Sequence, residues 1–198
     1  MAGTPQPDAT PAAGTRRLPR GQRREQIIAA ATGAFAKAGF AATGLDDIAA
    51  AAGISRAILY RHFESKTALY QAVLDSACQR LVNATGAGKF TRESIDGLLR
   101  AAAEDPDGFR LLFHHAAREP EFRPTMDQFH IDMTTVAHRH LADTIPNPAW
   151  AEWAAQLVPT VAIAAVTAWL DAGQPDPDHA AGRIREAVNS IIAAAQHS

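Results

Sequence analysis

The side chains best equipped for chemistry cluster between residues 55 and 66. Ser55, Arg56, Ala57, Tyr60 and Arg61 recur at the three- and four-residue spacing that gathers side chains on one side of a helix. Together they supply a hydroxyl, two guanidiniums and a phenol ring beside one small methyl, a set that can meet phosphate oxygens and base edges. None of them is a nucleophile with an attendant base. The chain has no G-x-S-x-G elbow, no H-E-x-x-H and no phosphate-cradling glycine loop, so it is not expected to be an enzyme and no cofactor is implied. Its one cysteine, Cys78, has no C-x-x-C partner, which excludes an intramolecular disulfide and suits the reducing cytoplasm. Five histidines lie between His114 and His140, but their spacing does not build a metal site. His114 and His115 are adjacent, His138 and His140 diverge on a helix, and only His130 shares a face with an acid, Asp127.

The reactive cluster needs helices to hold it. Arg16, Arg17, Arg20, Arg23 and Arg24 lead into a segment where Ile27, Ile28, Ala31, Ala34, Phe35 and Ala38 recur at helical spacing until Gly39 stops it. A second short helix is expected from Thr43, as hydroxyl cap, to Gly53, with Asp46 and Asp47 in its positive first turn. A third starts behind Ser55 and reaches His62; a fourth opens at Ser65 and carries Leu69, Tyr70, Val73, Leu74, Ala77 and Leu81 on one face. In the stretch LDDIAAAAGISRAILYRHF, residues 45–63, Ile48, Ala49, Ile54, Ile58 and Leu59 make a miniature core around the left-handed turn that Gly53 permits, which is the pattern of a helix-turn-helix. Alanine-rich helices joined by a glycine also occur in plain bundles, where Gly53 would be only a C-cap.

The continuation Tyr60-Arg61-His62-Phe63-Glu64-Ser65-Lys66, followed by Leu69-Tyr70, resembles the signature of the TetR family after its recognition helix. Phe40-Ala41-Ala42-Thr43 and Leu45-Asp46-Asp47-Ile48-Ala49 are similar to that family too, so the likeness covers about Arg20 to Leu74. The resemblance implies an all-α fold: an N-terminal three-helix DNA-binding domain and a larger C-terminal helical bundle for dimerisation and effector binding. It places Thr43, Tyr60, His62 and Lys66 on phosphates and Ser55 and Arg56 near bases. Arg56 either forks onto guanine or grips a phosphate. Ile58 departs from the small or polar residue usual in the family, and turns either inward or against a thymine methyl.

The body follows from three capping pairs, Asp105-Pro106, Asn147-Pro148 and Asp176-Pro177, each opening a helix, with two further helices at about 91–104 and 121–144; the count is roughly nine. Residues 1–19 read as a disordered arm, either a solvated tail or a basic extension for the minor groove; 20–63 as the DNA-binding domain; 64–198 as the effector and dimerisation domain. The net charge of −2 conceals an asymmetry: up to Lys66 there are nine Lys and Arg against five Asp and Glu, and beyond it ten against sixteen. A basic head on an acidic body suits a protein that offers one end to double-stranded DNA. The longest apolar stretch, Leu157 to Leu170, holds fourteen residues and Pro159, so no membrane span and no signal peptide are expected.

That stretch and the last helix supply the expected homodimer face, Ile163, Val166, Leu170, Ile184, Val188 and Ile191. Phe109, Phe113, His114, Met126, Phe129, His130, Met133 and Trp153 are the candidates to line a pocket for a small apolar or aromatic effector, although the same spacing serves an ordinary core. The functional expectation is a ligand-responsive regulator, a repressor that leaves a palindromic operator when its effector binds. The alternatives are an activator without small-molecule release and a helical interaction module with no affinity for DNA.

Overall fold

The computed structural model describes residues 18–86, 88, 89, 91 and 93–197. Nearly all of the expected arm therefore lies outside the described residues. Among those described there are nine α-helices and no strand: α1 Arg20–Ala42, α2 Leu45–Ala51, α3 Arg56–Tyr60, α4 Lys66–Ala84, α5 Ser94–Glu104, α6 Pro106–Arg110, α7 Arg123–Leu141, α8 Pro148–Asp171 and α9 Pro177–Gln196. Between α6 and α7 the chain widens into a π-helical turn, Leu111–His115, then tightens into a 3₁₀ turn, Ala116–Arg118.

The local signals explain most boundaries. Ser55 accepts a hydrogen bond from the Ile58 amide and Ser65 one from Ala68; Asp105 caps α6 through Gly108, and Asn147 caps α8 through Ala149 and Trp150. Gly39 leaves the helical region at φ 77°, which bends the end of α1. Two expected caps are overturned. Gly44, not Thr43, precedes α2, and its amide donates to the Asp47 carboxylate. Asp176 sits in the left-handed region at φ 46° and gives its carboxylate to His179 and Arg183 instead of to the backbone of α9. A short polar residue tolerates that conformation, and the tight α8–α9 connection imposes it. The Trp169 indole nitrogen pins this connection by donating to the Pro175 carbonyl at 2.8 Å.

Packing joins everything into one core. α1 rests on α4, α6 and the π turn, while α8 lies between α7 and α9. At the junction, Phe35 and Phe40 of α1 meet Tyr70 of α4 and Phe122 ahead of α7, with ring centroids 4.4 to 5.1 Å apart across the joint. The Tyr70 hydroxyl has no hydrogen-bond partner there, and burial, with the charge of Glu119 adding to it, pushes its pKa up to about 12. α8 is longer than the apolar stretch read from the sequence. By length and composition its 24 residues could cross a bilayer, yet in the fold Ala151, Ala154, Ala155, Val158, Ala162 and Val166 are buried in the bundle. Pro159 lies inside α8 and removes the amide that would have bonded to the Ala155 carbonyl.

Gly97 of α5 faces the end of α4, where an added Cβ would fall 1.9 Å from the Ala84 carbonyl oxygen. Gly97→Ala must push the two backbones apart. It is expected to lower stability by roughly 1–3 kcal/mol, read as a fall in the urea midpoint with an unchanged slope.

Candidate nucleic-acid interface and cavity

The platform for the reactive cluster is built by α1 and the turn between α2 and α3. Gly53, at φ 62°, lets the Ile54 amide reach back to the Ala49 carbonyl and the Gly53 amide to Ala50, which closes α2 and releases α3 in a new direction. Gln26 of α1 donates to the Ala52 carbonyl at 2.8 Å and so fixes the same turn from outside. Beneath it Ile27, Ala31, Phe35, Ile48, Ala49, Leu59 and Phe63 are buried. Ile58, expected to turn inward or toward a thymine, is half-buried, and Ile54 is likewise.

On this base Ser55, Arg56, Ala57, Tyr60 and Arg61 are all exposed, as a surface that meets another molecule must be. The Arg56 guanidinium donates to Asp46 at 3.0 Å and to the Tyr60 hydroxyl at 3.2 Å, and lies 5.5 Å over the Tyr60 ring. The Tyr60 bond first, and the Asp46 charge after it, raise the already high pKa of Arg56. The ion pair is open to solvent and therefore weak, so it can orient the guanidinium and still release it. His62 is half-buried; burial first, then the charges of Arg20, Arg24, Arg61 and Arg23, hold its pKa below the ordinary imidazole value. These effects favour the neutral ring.

Two of the residues expected on phosphates are engaged elsewhere. Thr43 is buried, and its hydroxyl donates to Gly39 at 2.7 Å and Ala34 at 3.2 Å, so it stitches the bent end of α1 instead of facing outward. The Lys66 ammonium donates to the carbonyls of Phe40, Ala41 and Thr43 and sits 4.5 Å over the Phe40 ring. All three of its N–H groups are taken. Unpaired carbonyls at a helix end attract a cation, and here the fourth helix supplies it to the first. Spacing alone could not reveal a contact across 23 to 26 residues.

In the body, Phe113, His114, Met126, Phe129, His130 and Met133 come together around a cavity of about 640 Å³ between the π turn, α7 and α8. Asp127, Thr160, Ile163, Thr167 and Asp171 are also in its lining. Phe109 is buried beside Phe113, with centroids 4.8 Å apart, and backs the wall without lining it. Trp153 does not reach the cavity: it is 39% exposed and stacks edge-on against Trp150. A smaller cavity of about 300 Å³, which the sequence did not signal, lies on the far side of Phe129, Met133 and Ile163, against Val82, Ile95, Leu98, Val136 and Pro159. Among the described residues no three His, Cys, Asp or Glu side chains gather where they could hold a metal; His138 faces Glu152 at 3.6 Å.

The expected dimer face is largely interior. Val166, Leu170, Ile184 and Val188 are buried within this one chain, because α8 and α9 pack their apolar seams on each other. Ile163 lines both cavities, and Ile191 is half-buried. What α8 turns outward is Trp153, Thr160, Ala164 and Ala168, with Leu157 and Val161 half-exposed between them.

The helix-turn-helix segment falls within the match to a family model described as "Bacterial regulatory proteins, tetR family", which covers residues 27–73. Over these residues the chain is similar to that family. It is 40% identical over 116 residues to the HTH-type transcriptional activator FasR of Mycolicibacterium smegmatis, an alignment that covers 53% of each protein. It is 42% identical over 67 residues to the HTH-type transcriptional repressor Rv3405c of Mycobacterium tuberculosis, across 33% of this chain and 36% of that one. The chain thus matches about half the length of the first relative and a third of the second. Its fold is that of a TetR-like transcriptional regulator from Rhodococcus sp. RHA1, with TM-score 0.75 at 23% identity over 89% of this chain and 96% of the other.

The Lys66 contacts make a test of the platform. Lys66→Met keeps the stem over Phe40 but leaves three carbonyls without their donor, and is expected to lower stability by roughly 1.5–3 kcal/mol. Thermal or urea denaturation reads it.

Proposed function

We propose that this protein is a dimeric, ligand-responsive transcriptional regulator of the TetR family that acts in the cytoplasm and binds a palindromic operator through α3. Residues 20–63 would carry the DNA contacts, and residues 64–198 the effector cavity and dimer face. The observation that supports it most is the exposed row Ser55, Arg56, Ala57, Tyr60 and Arg61 on a helix whose base is locked by the Gly53 turn and Gln26. Ser55 and Arg56 meet base edges, Tyr60, Arg61 and His62 meet phosphates, and Lys66 and Thr43 serve by holding the platform. A single short helix makes too few contacts for tight recognition, so two copies read half-sites about 34–36 Å apart.

The subunits would meet through the outward side of α8, Trp153, Leu157, Val161 and Ala164, with Ile191 of α9 beside it. The rim of the larger cavity includes Thr160, Ala164 and Ala168 of that same side. An effector with an apolar or aromatic body would therefore press on the face that sets the distance between the two α3 helices, and binding it would favour a spacing that no longer fits the operator. This is repression with release. A second reading, activation, is favoured by the similarity over 116 residues to a relative that is called an activator.

Gel shifts against a pool of random duplexes, followed by a reporter driven from the selected site, test the proposal. Arg56→Ala is expected to lose about ten- to hundredfold affinity for the selected sequence and to relax its preference at one base pair; equal weakening on every sequence would reassign Arg56 to a phosphate. His62 supplies a pH signature. Its pKa is low in the free protein and would rise beside a phosphate, so a proton is taken up on binding and affinity should climb as pH falls from 7.5 toward 6. Replacing both Leu157 and Val161 by Glu should give monomers in sedimentation and abolish half-site cooperation; a variant that stays dimeric places the interface elsewhere.

A further inference from the structure

Three arginines stand in the first two turns of α1, Arg20, Arg23 and Arg24, and the same end of the molecule carries Arg61 and His62 at the close of α3. The charges of all four guanidiniums reach the His62 ring. None of the four is ion-paired among the described residues, although Arg56 on the neighbouring face has Asp46. Glu25 and Glu64, the acids nearest in sequence, form no bridge to them.

Two of these cations are held in place. Arg23 donates to the Gln26 side chain at 2.8 Å, and Gln26 in turn donates to Ala52 in the helix-turn-helix turn. Arg24 lies 4.5 Å over the ring of Phe63, a member of the buried core. Side chains fixed in this way lose little freedom when they meet a partner.

For the isolated protein the arrangement is unfavourable. The start of a helix is its positive end, and like charges three and four residues apart repel. The first turn of α1 contains no acid, and Pro19 provides no side-chain cap. A run of anions laid along this end would relieve all of these at once. Arg20 and Arg24 are about 6 Å apart along the axis of α1, a separation suited to successive groups of one nucleic-acid strand.

Resting on the reading of α3 as the DNA-entering helix, we infer that Arg20, Arg23, Arg24 and Arg61 form a second grip on the duplex, which takes backbone phosphates flanking the groove that α3 enters and reads no bases. The grip fixes the orientation of α3 and supplies much of the salt-sensitive affinity. Sequence choice stays with Ser55 and Arg56.

The test uses the full chain and a duplex selected by it from a random pool. The triple variant Arg20→Gln, Arg23→Gln, Arg24→Gln should lower the slope of log affinity against log salt by about three, near one for each phosphate released. Its preference between selected and scrambled duplexes should be unchanged. Because Arg24 packs on Phe63, the pair Arg20→Gln, Arg61→Gln serves as a second arm that disturbs no packing, with an expected drop of about two. Slopes equal to the wild type in both arms would overturn the second grip, and the phosphate role of Arg61 with it, while leaving base recognition by Ser55 and Arg56 standing. A changed sequence preference would overturn it as well, since these arginines would then be reading bases. If the wild type itself bound no duplex at low salt, both the grip and the reading beneath it would fall.

Discussion

The ammonium of Lys66 is the tie on which the geometry of the molecule depends. It closes the end of α1 through three carbonyls, faces the Phe40 ring, and belongs to the first turn of α4. Through that one group the helix that supports α2 and α3 is bound to the helix that leads into the body. The aromatic cluster of Phe35, Phe40, Tyr70 and Phe122 lies directly behind it. A rotation of α4 relative to α1 must therefore break charged hydrogen bonds and repack rings together, which favours discrete arrangements over gradual drift. The Tyr70 hydroxyl, buried here without a partner, is the least satisfied polar group in the joint.

Much of this was legible in the sequence because it is written locally. Gly53, Ser55, Ser65, Asp105 and Asn147 each announce a turn or a cap within four residues of the group they serve, and the structure has each in that role. The intramolecular partners of Thr43 and Lys66 were not legible, for the opposite reason. Their partners are determined by how the bent end of α1 returns to meet α4, and no periodicity encodes that meeting. Asp176 shows the same limit on a smaller scale: an Asp-Pro pair resembles a cap until the connecting loop forces its backbone left-handed.

In the body, an apolar helix face says that burial will occur but not against what. The seam of Ile184 and Val188 and the side of α8 bearing Val166 and Leu170 find each other inside one chain, so the residues most hydrophobic in sequence were the least available to a second one. Trp153, which sequence placed in a pocket, is left outside because the neighbouring small residues Ala151, Ala154 and Ala155 take the inner positions of α8. Met126, Phe129, His130 and Met133 line one cavity because they follow a single helical stripe of α7, a spacing that can be read from the sequence.

The π-helical turn at Leu111–His115 carries Phe113 and His114 into the larger cavity. Such a turn holds one residue more than an ordinary helix would in the same space. Removing a single codon there would swing the following side chains by about 100° around the helix axis and present a different pair to the hollow, while the 3₁₀ turn absorbs the slack before α7. A one-residue insertion or deletion at this turn would thus remodel the wall of the hollow while leaving α1 to α3, some fifty residues upstream, with their own packing.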